Sequence, residues 1–330
     1  MSITRGKKEE TKKMASGKDF DLIIIGAGGS GLAGAMYAAR LGLKTLVLGA
    51  SSGTDLAVGG VITTTHIVEN YPGFPNISGQ ELAKKLEEHA RSYDLVTIKQ
   101  EKAEEAKKTK KGFSVKTRKA EYNAKALIFA TGTRWRKLEV SGAERFEGKG
   151  IHYCALCDGP LYKGKTLAII GGSDSAVKDA LLLTEYAKKV YIIYRGDELH
   201  PEPVNMKRIK ENKKIELIGK TNVIEIKGKD FAESFVLDRP YKGKKELNLD
   251  GIFIAIGHLI NSDLAIKLGV KANEKNELMI DHMTSETNIP GVFAAGDVAD
   301  KHFKQLITGV AEACTAAHSA YEYIRKGKKS

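Results

Sequence analysis

Short apolar runs separated by glycine-rich turns dominate the pattern of hydrophobic and polar positions along this chain. Residues 19–25 form an apolar run short enough for a buried parallel strand, and residues 44–48 form a second one. The segment 32–41 between them is rich in small residues and predicts a helix that Gly42 ends. A G-x-G-x-x-G turn precedes this helix, Gly26-Ala27-Gly28-Gly29-Ser30-Gly31. The order of strand, glycine turn, helix and strand predicts a βαβ unit that binds a dinucleotide, with its pyrophosphate at the helix N-terminus.

The same pattern recurs in the middle of the chain. An apolar strand, Thr166–Ile170, leads into a second glycine turn, a helix over 174–187 and a closing strand over 190–194. Ser173 stands where a glycine is expected to face the pyrophosphate, and its Cβ is expected to crowd the phosphate. The pattern predicts a second, imperfect nucleotide site, with contacts from Gly172, Ser173, Asp174, Ser175, Tyr194 and Arg195.

Two such units in 330 residues predict an α/β fold with two Rossmann-like three-layer domains. Two dinucleotide sites are the arrangement needed to pass a hydride from one cofactor to the other. Between the units, strands are predicted near 96–98, 112–117 and 124–129, and the lysine-rich stretch 107–111 is interpreted as a charged turn.

Composition and charge exclude several function classes. Lysine and arginine total 53 against 41 acidic residues, so the net charge is +12, and the pI is about 9.3. Much of the excess lies in the terminal tails, and residues 1–18 are interpreted as a disordered basic extension. The lysines form no recognisable nucleic-acid-binding module, and no apolar stretch approaches the roughly 20 residues of a membrane span. We therefore expect a cytoplasmic protein with neither nucleic acid nor membrane as a partner, and with a basic surface that could steer an acidic protein partner.

A pair of cysteines at i and i+3 lies just before the second nucleotide unit. Cys154 and Cys157 are followed at once by Asp158, and a glycine and a proline then end any helix. One helical turn keeps the two Cα atoms within the roughly 4.4–6.8 Å that a disulfide requires. Three cysteines in the whole chain indicate a reducing compartment, where such a pair is read as catalytic. A zinc site needs four ligands, and His152 and the distant Cys314 do not complete one; we interpret both as structural, and no metal is predicted.

Further motifs connect these features. They are Glu69-Asn70-Tyr71-Pro72-Gly73, Ala130-Thr131-Gly132, Gly257-His258, the segment 290–297 and Lys304-Gln305. These motifs are joined by the first glycine turn and by Cys154-Ala155-Leu156-Cys157-Asp158-Gly159. Together the motifs resemble the low-molecular-weight thioredoxin reductases, and the resemblance covers about residues 19–325. These reductases are a class of FAD-dependent pyridine nucleotide-disulfide oxidoreductases.

The resemblance implies a domain organisation and a cofactor. An FAD-binding domain is expected over 19–133 and 259–330, with a pyridine-nucleotide-type domain, 134–258, inserted between its halves and carrying the cysteine pair. The residues expected to bind FAD are Gly26, Ala27, Gly28, Gly29, Ser30, Gly31, Gly59, Gly60, Asn70, Ala130, Thr131, Gly132, Gly296, Asp297, Lys304, Gln305 and Leu306.

The resemblance also implies the catalytic roles. Electrons are expected to pass from a donor to FAD and then to the Cys154–Cys157 disulfide, which reduces a thioredoxin- or glutaredoxin-like protein. By analogy Cys157 faces the flavin, Cys154 is the exposed nucleophile and Asp158 is the acid/base for the thiol proton. Members of this class usually form homodimers, and a homodimer is expected.

The electron donor stays open because the sequence departs from the class where NADPH binds. The class carries a His-Arg-Arg run and a further arginine four residues later, whereas this chain has Tyr194-Arg195-Gly196 and then His200. A 2′-phosphate needs fixed positive charge, so NADPH, NADH and a different donor such as a ferredoxin-type protein or a reduced deazaflavin are all candidates. The alternatives for the whole protein are a thiol oxidase, a disulfide reductase of a peroxide system, and a flavin-binding redox sensor that does not turn over a pyridine nucleotide.

Overall fold

The computed structural model describes residues 18–50 and 58–327. The predicted disordered extension, apart from its last residue, lies outside the described residues. The α/β prediction with two Rossmann-like domains is confirmed, because each of the two main sheets is built around parallel strands linked by helices. No helix in the described ranges combines the length and apolar character needed to cross a membrane.

The regular elements of the described chain follow in sequence order. The strands are β1 (Lys18–Ile25), β2 (Thr45–Gly49), β3 (Val96–Gln100), β4 (Glu105–Thr109), β5 (Gly112–Lys116), β6 (Glu121–Phe129), β7 (Thr133–Trp135), β8 (Ile151–His152), β9 (Thr166–Ile170), β10 (Lys189–Ile193), β11 (Ile215–Ile218), β12 (Val223–Lys227), β13 (Ser234–Tyr241), β14 (Lys244–Asn248), β15 (Gly251–Ile254), β16 (His258–Ile260) and β17 (Val292–Ala294). The helices are α1 (Gly29–Arg40), α2 (Gly79–Arg91), α3 (Ala155–Asp158), α4 (Asp174–Tyr186), α5 (Pro203–Glu211), α6 (Asp263–Leu268) and α7 (Leu306–Gly327).

The chain divides into two compact units. Of the described residues, unit 1 comprises 18–50, 86–131 and 262–327, and unit 2 comprises 58–85 and 132–261. The sequence prediction assigned residues 58–85 to the FAD-binding domain, whereas their contacts group them with unit 2. Within unit 2, a 3-10 turn, Val61–Thr64, packs against α3, and the Arg208 guanidinium binds both carboxylate oxygens of Glu69 at 2.7 and 2.9 Å.

Unit 1 is built on a sheet whose parallel strands run in the order β3, β2, β1, β6, with β17 also paired to β6. Strand β5 pairs antiparallel with the first half of β6, and β4 pairs antiparallel with β5 at the edge of the sheet. From Leu22 to Ile25, strand β1 is apolar on both faces and buried, as expected of a central parallel strand. Helices α1 and α7 pack closely together: a Cβ at Gly34 would lie 3.3 Å from the carbonyl oxygen of Ala313.

The predicted charged turn over 107–111 is partly wrong, because Glu105–Thr109 forms strand β4. This strand pairs antiparallel with β5 at the end of the sheet. Most of its residues are exposed, so its lysines and glutamate remain in water, which is how edge strands avoid pairing with other chains.

Unit 2 has three layers. Its central sheet is parallel, in the order β11, β10, β9, β15, β8. Alternate residues of β9 point to opposite faces of this sheet. Leu167 and Ile169 pack in the hydrophobic cluster that includes α4. Ala168 and Ile170 pack in the cluster that includes the antiparallel strands β12–β14. Strands β7 and β16 form a separate antiparallel ribbon, in which Arg134 is opposite Leu259.

Helix α4 carries one acid whose ionisation opposes folding. Burial raises the pKa of Asp179 to about 7, against about 3.9 for an unfolded aspartate. Between pH 4 and 7 the native state therefore holds a proton that the unfolded state has lost, so stability falls as pH rises through this window and stays lower above it. We expect Asp179→Asn to raise the free energy of unfolding at pH 8 by roughly 1–3 kcal/mol and to change it little at pH 4.

Urea denaturation of both proteins at pH 4 and pH 8 measures this difference. Glu185→Gln, which removes an exposed acid from the same helix, is the matched control and should show no such pH dependence. Equal effects of Asp179→Asn at the two pH values would contradict the prediction.

Candidate active site

The first glycine turn has a backbone that requires glycine. Gly26 has φ +117°, and a Cβ there would lie 2.1 Å from the carbonyl oxygen of Ala130. A Cβ at Gly31 would lie 1.9 Å from the carbonyl oxygen of Gly26. The turn therefore closes tightly against residues 130 and 131 at the end of β6, two of the positions predicted to contact FAD.

The N-terminus of α1 is suited to an anion. Its N-cap, Gly28, has an extended backbone and offers no side-chain cap, and the first turn holds no acidic residue among those described. The free N–H groups and the helix dipole there favour negative charge. This is the structure that the sequence predicts for a pyrophosphate site.

Unit 1 brings the start of α7 to this same turn. A Cβ at Gly29 would lie 2.4 Å from Cδ1 of Leu306, and Cβ atoms at Gly296 or Gly309 would each lie 2.6 Å from Oγ of Ser30. Predicted FAD residues from three distant parts of the sequence thus meet in unit 1: the segments 26–31, 130–131 and 296–306. Gly59, Gly60, Asn70 and Gly132 belong to unit 2.

A partly buried ionic network that the sequence did not indicate fixes the backbone at Gly296 and Asp297. The Glu312 carboxylate accepts the N–H of Gly296 at 2.7 Å and lies 3.2 Å from Nζ of Lys301. Lys304 Nζ donates to the carbonyl oxygen of Asp297 at 2.7 Å. No local motif links residues 296 and 312, so only the packing of α7 could have indicated this contact.

The cysteine pair lies on the predicted single helical turn. Cys154 and Cys157 form a disulfide with their Cα atoms 5.3 Å apart, and a 3-10 turn over Gly159–Tyr162 follows α3 directly. The backbone N–H of Cys157 donates to Sγ of Cys154 at 3.1 Å. This hydrogen bond favours the thiolate form of Cys154 once the disulfide is reduced.

The exposure of the two sulfur-bearing residues differs from expectation. Cys154, expected to be the exposed nucleophile, is only 6% exposed, whereas Cys157 is exposed. Cys154 is the N-cap of α3, and its side chain is directed back over the helical turn toward the N–H of Cys157. In this structure Cys157 is the more exposed of the two residues.

Asp158 lies beside a buried histidine. Its Oδ2 is 3.2 Å from Nδ1 of His152, and the other ring nitrogen, Nε2, is 2.7 Å from the Tyr162 hydroxyl. The predicted acid/base is thus linked to two further titratable side chains. Within residues 18–50 and 58–327, no group of three His, Cys, Asp or Glu side chains could hold a metal ion.

The second glycine turn differs from the first because its helix N-terminus is already capped. Oγ of Ser173 accepts the N–H of Ala176 at 3.4 Å. Asp174, in the first turn of α4, accepts the backbone N–H of Glu202 at 2.8 Å and an amide hydrogen of Asn205 at 2.9 Å. The other carboxylate oxygen of Asp174 pairs with Nζ of Lys178 at 2.7 Å, so the acid in this first turn is bound by groups of the chain itself.

The ring of Tyr194 lies over Gly172 of this turn and over Gly196, which follows β10. A Cβ at Gly172 would lie 2.5 Å from Cδ2 of Tyr194, and a Cβ at Gly196 would lie 2.6 Å from Cε1 of the same ring. The predicted nucleotide contacts Gly172, Ser173, Asp174 and Tyr194 are thus brought together, and the neighbouring Ser175 and Arg195 are exposed. The second glycine turn links a strand to a helix as predicted, but the side chains of Ser173 and Tyr194 lie against it.

The model of the protein family described as pyridine nucleotide-disulphide oxidoreductase matches residues 20–319 of this chain. The chain belongs to this family. The resemblance predicted from the motifs is confirmed, and so is the prediction that the chain is a disulfide oxidoreductase of this family.

Relatives within the pyridine nucleotide-disulphide oxidoreductases match almost the whole chain. A 34.2 kDa protein in the rubredoxin operon of Clostridium pasteurianum is 40% identical over 312 residues, which are 94% of this chain and 99% of that protein. The thioredoxin reductase of Bacillus subtilis is 36% identical over 315 residues, 95% of this chain and 97% of that one. The solved structure of Lactococcus lactis thioredoxin reductase gives a TM-score of 0.86 at 35% identity, covering 93% of this chain and 99% of that chain.

Proposed function

We propose that this protein is a thioredoxin-disulfide reductase that binds FAD in unit 1. The observation that carries the proposal is the Cys154–Cys157 disulfide on a single helical turn, with an acidic side chain immediately after it. Redox-active disulfides in a reducing compartment often join two cysteines at i and i+3 and have a nearby group that accepts and returns the thiol proton. The B. subtilis and L. lactis relatives, both thioredoxin reductases, support the same assignment.

The residues of unit 1 fit FAD. The uncapped N-terminus of α1 would bind the pyrophosphate, and the tight contact of Gly26 with Ala130 fixes the glycine turn that leads into this helix. The network of Glu312, Lys301 and Lys304 would hold the backbone at 296–297 against it. When bound, FAD supplies the two electrons that reduce the disulfide.

Thiol–disulfide exchange then follows from the cysteines. Asp158 takes the proton of the Cys154 thiol, and the resulting thiolate attacks the partner's disulfide; a mixed disulfide forms, and the first partner sulfur leaves with the proton from Asp158. Asp158 then takes the proton of Cys157, which attacks Cys154 Sγ, restores the intramolecular disulfide and releases the second partner sulfur with that proton. Two electrons and two protons thus pass from the cysteine pair to the partner.

Because Cys154 is buried in the disulfide form, its attack requires a rearrangement that exposes it. The proposed partner is a thioredoxin- or glutaredoxin-like protein, which the net charge of +12 would attract if its surface is acidic. We propose a homodimer acting in the cytoplasm, where the low cysteine content suits a reducing environment.

For the electron donor, we propose that unit 2 binds NADPH weakly. Tyr194 lies over Gly172 of the glycine turn, and Gly196 and His200 stand where arginines would bind a 2′-phosphate. A reduced ferredoxin-type protein or reduced deazaflavin is then the favoured class of donor.

Anaerobic mixing of the FAD-loaded protein with NADPH, NADH or a reduced ferredoxin, followed by oxidised thioredoxin, tests both parts. We expect the flavin absorbance to bleach slowly with either nucleotide and rapidly with ferredoxin, and the reduced protein to form thioredoxin dithiol. Rapid bleaching by NADPH would contradict the donor proposal. Reduced protein that leaves every thioredoxin- and glutaredoxin-like disulfide intact would contradict the reductase proposal.

A further inference from the structure

His152 is a buried histidine held on three sides. It is 8% exposed, and its ring stacks on Phe253 with the centroids 5.3 Å apart. The ring of Tyr162 meets it edge-on at 5.4 Å. A ring fixed in this way has little freedom to rotate, so the directions of its two nitrogens are determined by packing.

Both nitrogens face a titratable partner. Nδ1 lies 3.2 Å from Oδ2 of Asp158, and Nε2 lies 2.7 Å from the Tyr162 hydroxyl. The third neighbour, Phe253, offers no polar atom. The negative charge of Asp250 also acts on the Tyr162 hydroxyl, and the Asp250 carboxylate is 3.2 Å from Nζ of Lys165.

The partners determine which nitrogen carries the hydrogen. An ionised carboxylate only accepts hydrogen bonds, so Nδ1 of His152 donates to Asp158. Burial raises the pKa of Tyr162, and the charges of Asp158 and Asp250 raise it further, so its hydroxyl keeps its proton and donates to Nε2. The chain of hydrogen bonds runs from Tyr162 through His152 to Asp158.

We propose that His152 is a positioning residue for the acid/base Asp158. By occupying Oδ2, it leaves Oδ1 as the oxygen that receives the thiol proton and returns it to the leaving sulfur. This inference rests on the proposed function, because it concerns the thiol exchange of the Cys154–Cys157 pair.

The test follows thiol exchange in the FAD-loaded protein, reduced with dithiothreitol and freed of it, with 4,4′-dithiodipyridine as the disulfide. His152→Phe keeps an aromatic ring against Phe253 and removes both nitrogens. We expect the exchange rate to fall about 10-fold at pH 7 and to approach the wild-type rate near pH 9, where the thiol ionises without a base. His152→Gln restores an N–H donor and should recover part of the loss.

A double-mutant cycle separates positioning from simple packing. If His152 acts through Asp158, the variant carrying both His152→Phe and Asp158→Asn should be no slower than Asp158→Asn alone. Tyr153→Phe is the matched control, since the hydroxyl that it removes bonds Glu147 and not His152, and it should retain the wild-type pH profile.

An unchanged pH profile in His152→Phe, losses that add in the cycle, or an equal loss at every pH with a lower melting temperature would overturn the inference. The dithiodipyridine measurement needs neither an electron donor nor a protein partner. A wild-type protein that reacts with this probe but reduces no thioredoxin-like protein would overturn the proposed function and still test His152.

Discussion

Cys157→Ser is expected to trap a covalent complex with an oxidised thioredoxin, whereas Cys154→Ser is expected to form none. The N–H of Cys157 stabilises a thiolate on Cys154, so Cys154 attacks, and without Cys157 nothing resolves the mixed disulfide. Turnover should fall by at least about 10³-fold in both variants. Non-reducing electrophoresis of the dithionite-reduced variants detects the complex, and mass spectrometry of the linked peptides identifies the cysteine.

The exposure of the two cysteines makes this a demanding test. Cys157 is the exposed one in the disulfide form, so an attack governed by access alone would trap the partner on Cys157 in the Cys154→Ser variant. That outcome would reverse the proposed roles. Cys314→Ser, in α7 of unit 1, is the matched control and should keep full turnover, because burial raises the pKa of this thiol and keeps it unreactive.

A triple variant, Tyr194→His, Gly196→Arg and His200→Arg, is expected to increase kcat/KM for NADPH by about 10- to 100-fold. Two added guanidinium groups can bind the 2′-phosphate, and removal of the tyrosine ring uncovers the glycine turn. Gly196→Arg with His200→Arg alone should gain much less, because the new Cβ at residue 196 would lie 2.6 Å from Cε1 of Tyr194. Steady-state rates with NADPH measure the gain.

The same variants assayed with NADH provide the control. NADH has no 2′-phosphate, so the two arginines should give it no advantage, and any gain shared by both nucleotides reports the removal of the tyrosine alone. A double variant that equals the triple variant with NADPH would show that Tyr194 does not obstruct the site.

The features that the sequence predicted are those set by local chemistry. Gly26 and Gly31 are recognisable because their positions admit no Cβ, and the spacing of Cys154 and Cys157 implies a single turn whatever surrounds it. The buried strands β1 and β9 are evident because parallel central strands are apolar on both faces.

The features that the sequence did not predict depend on contacts between distant segments. The ring of Tyr194 lies over Gly172 only because β9 and β10 are adjacent in the sheet. Glu312 reaches the N–H of Gly296 through the packing of α7. Cys154 is buried for a similar reason, since exposure is a property of all the neighbours of a side chain and not of its own turn.

The ribbon of β7 and β16 also bears on how this chain can be rearranged. Thr133 lies opposite Ile260, and the backbone N–H of Asn261 donates to the carbonyl oxygen of Gly132 at 3.0 Å, so the two ends of the segment 132–261 are adjacent. Adjacent ends mean that this segment could have entered an ancestral gene, or be moved to another protein, without stretching the chain on either side. The isolated segment 132–261 could also be circularly permuted. A short linker would join residues 132 and 261, and new termini would lie at the exposed turn Lys242–Gly243, so every strand of the parallel sheet would stay intact.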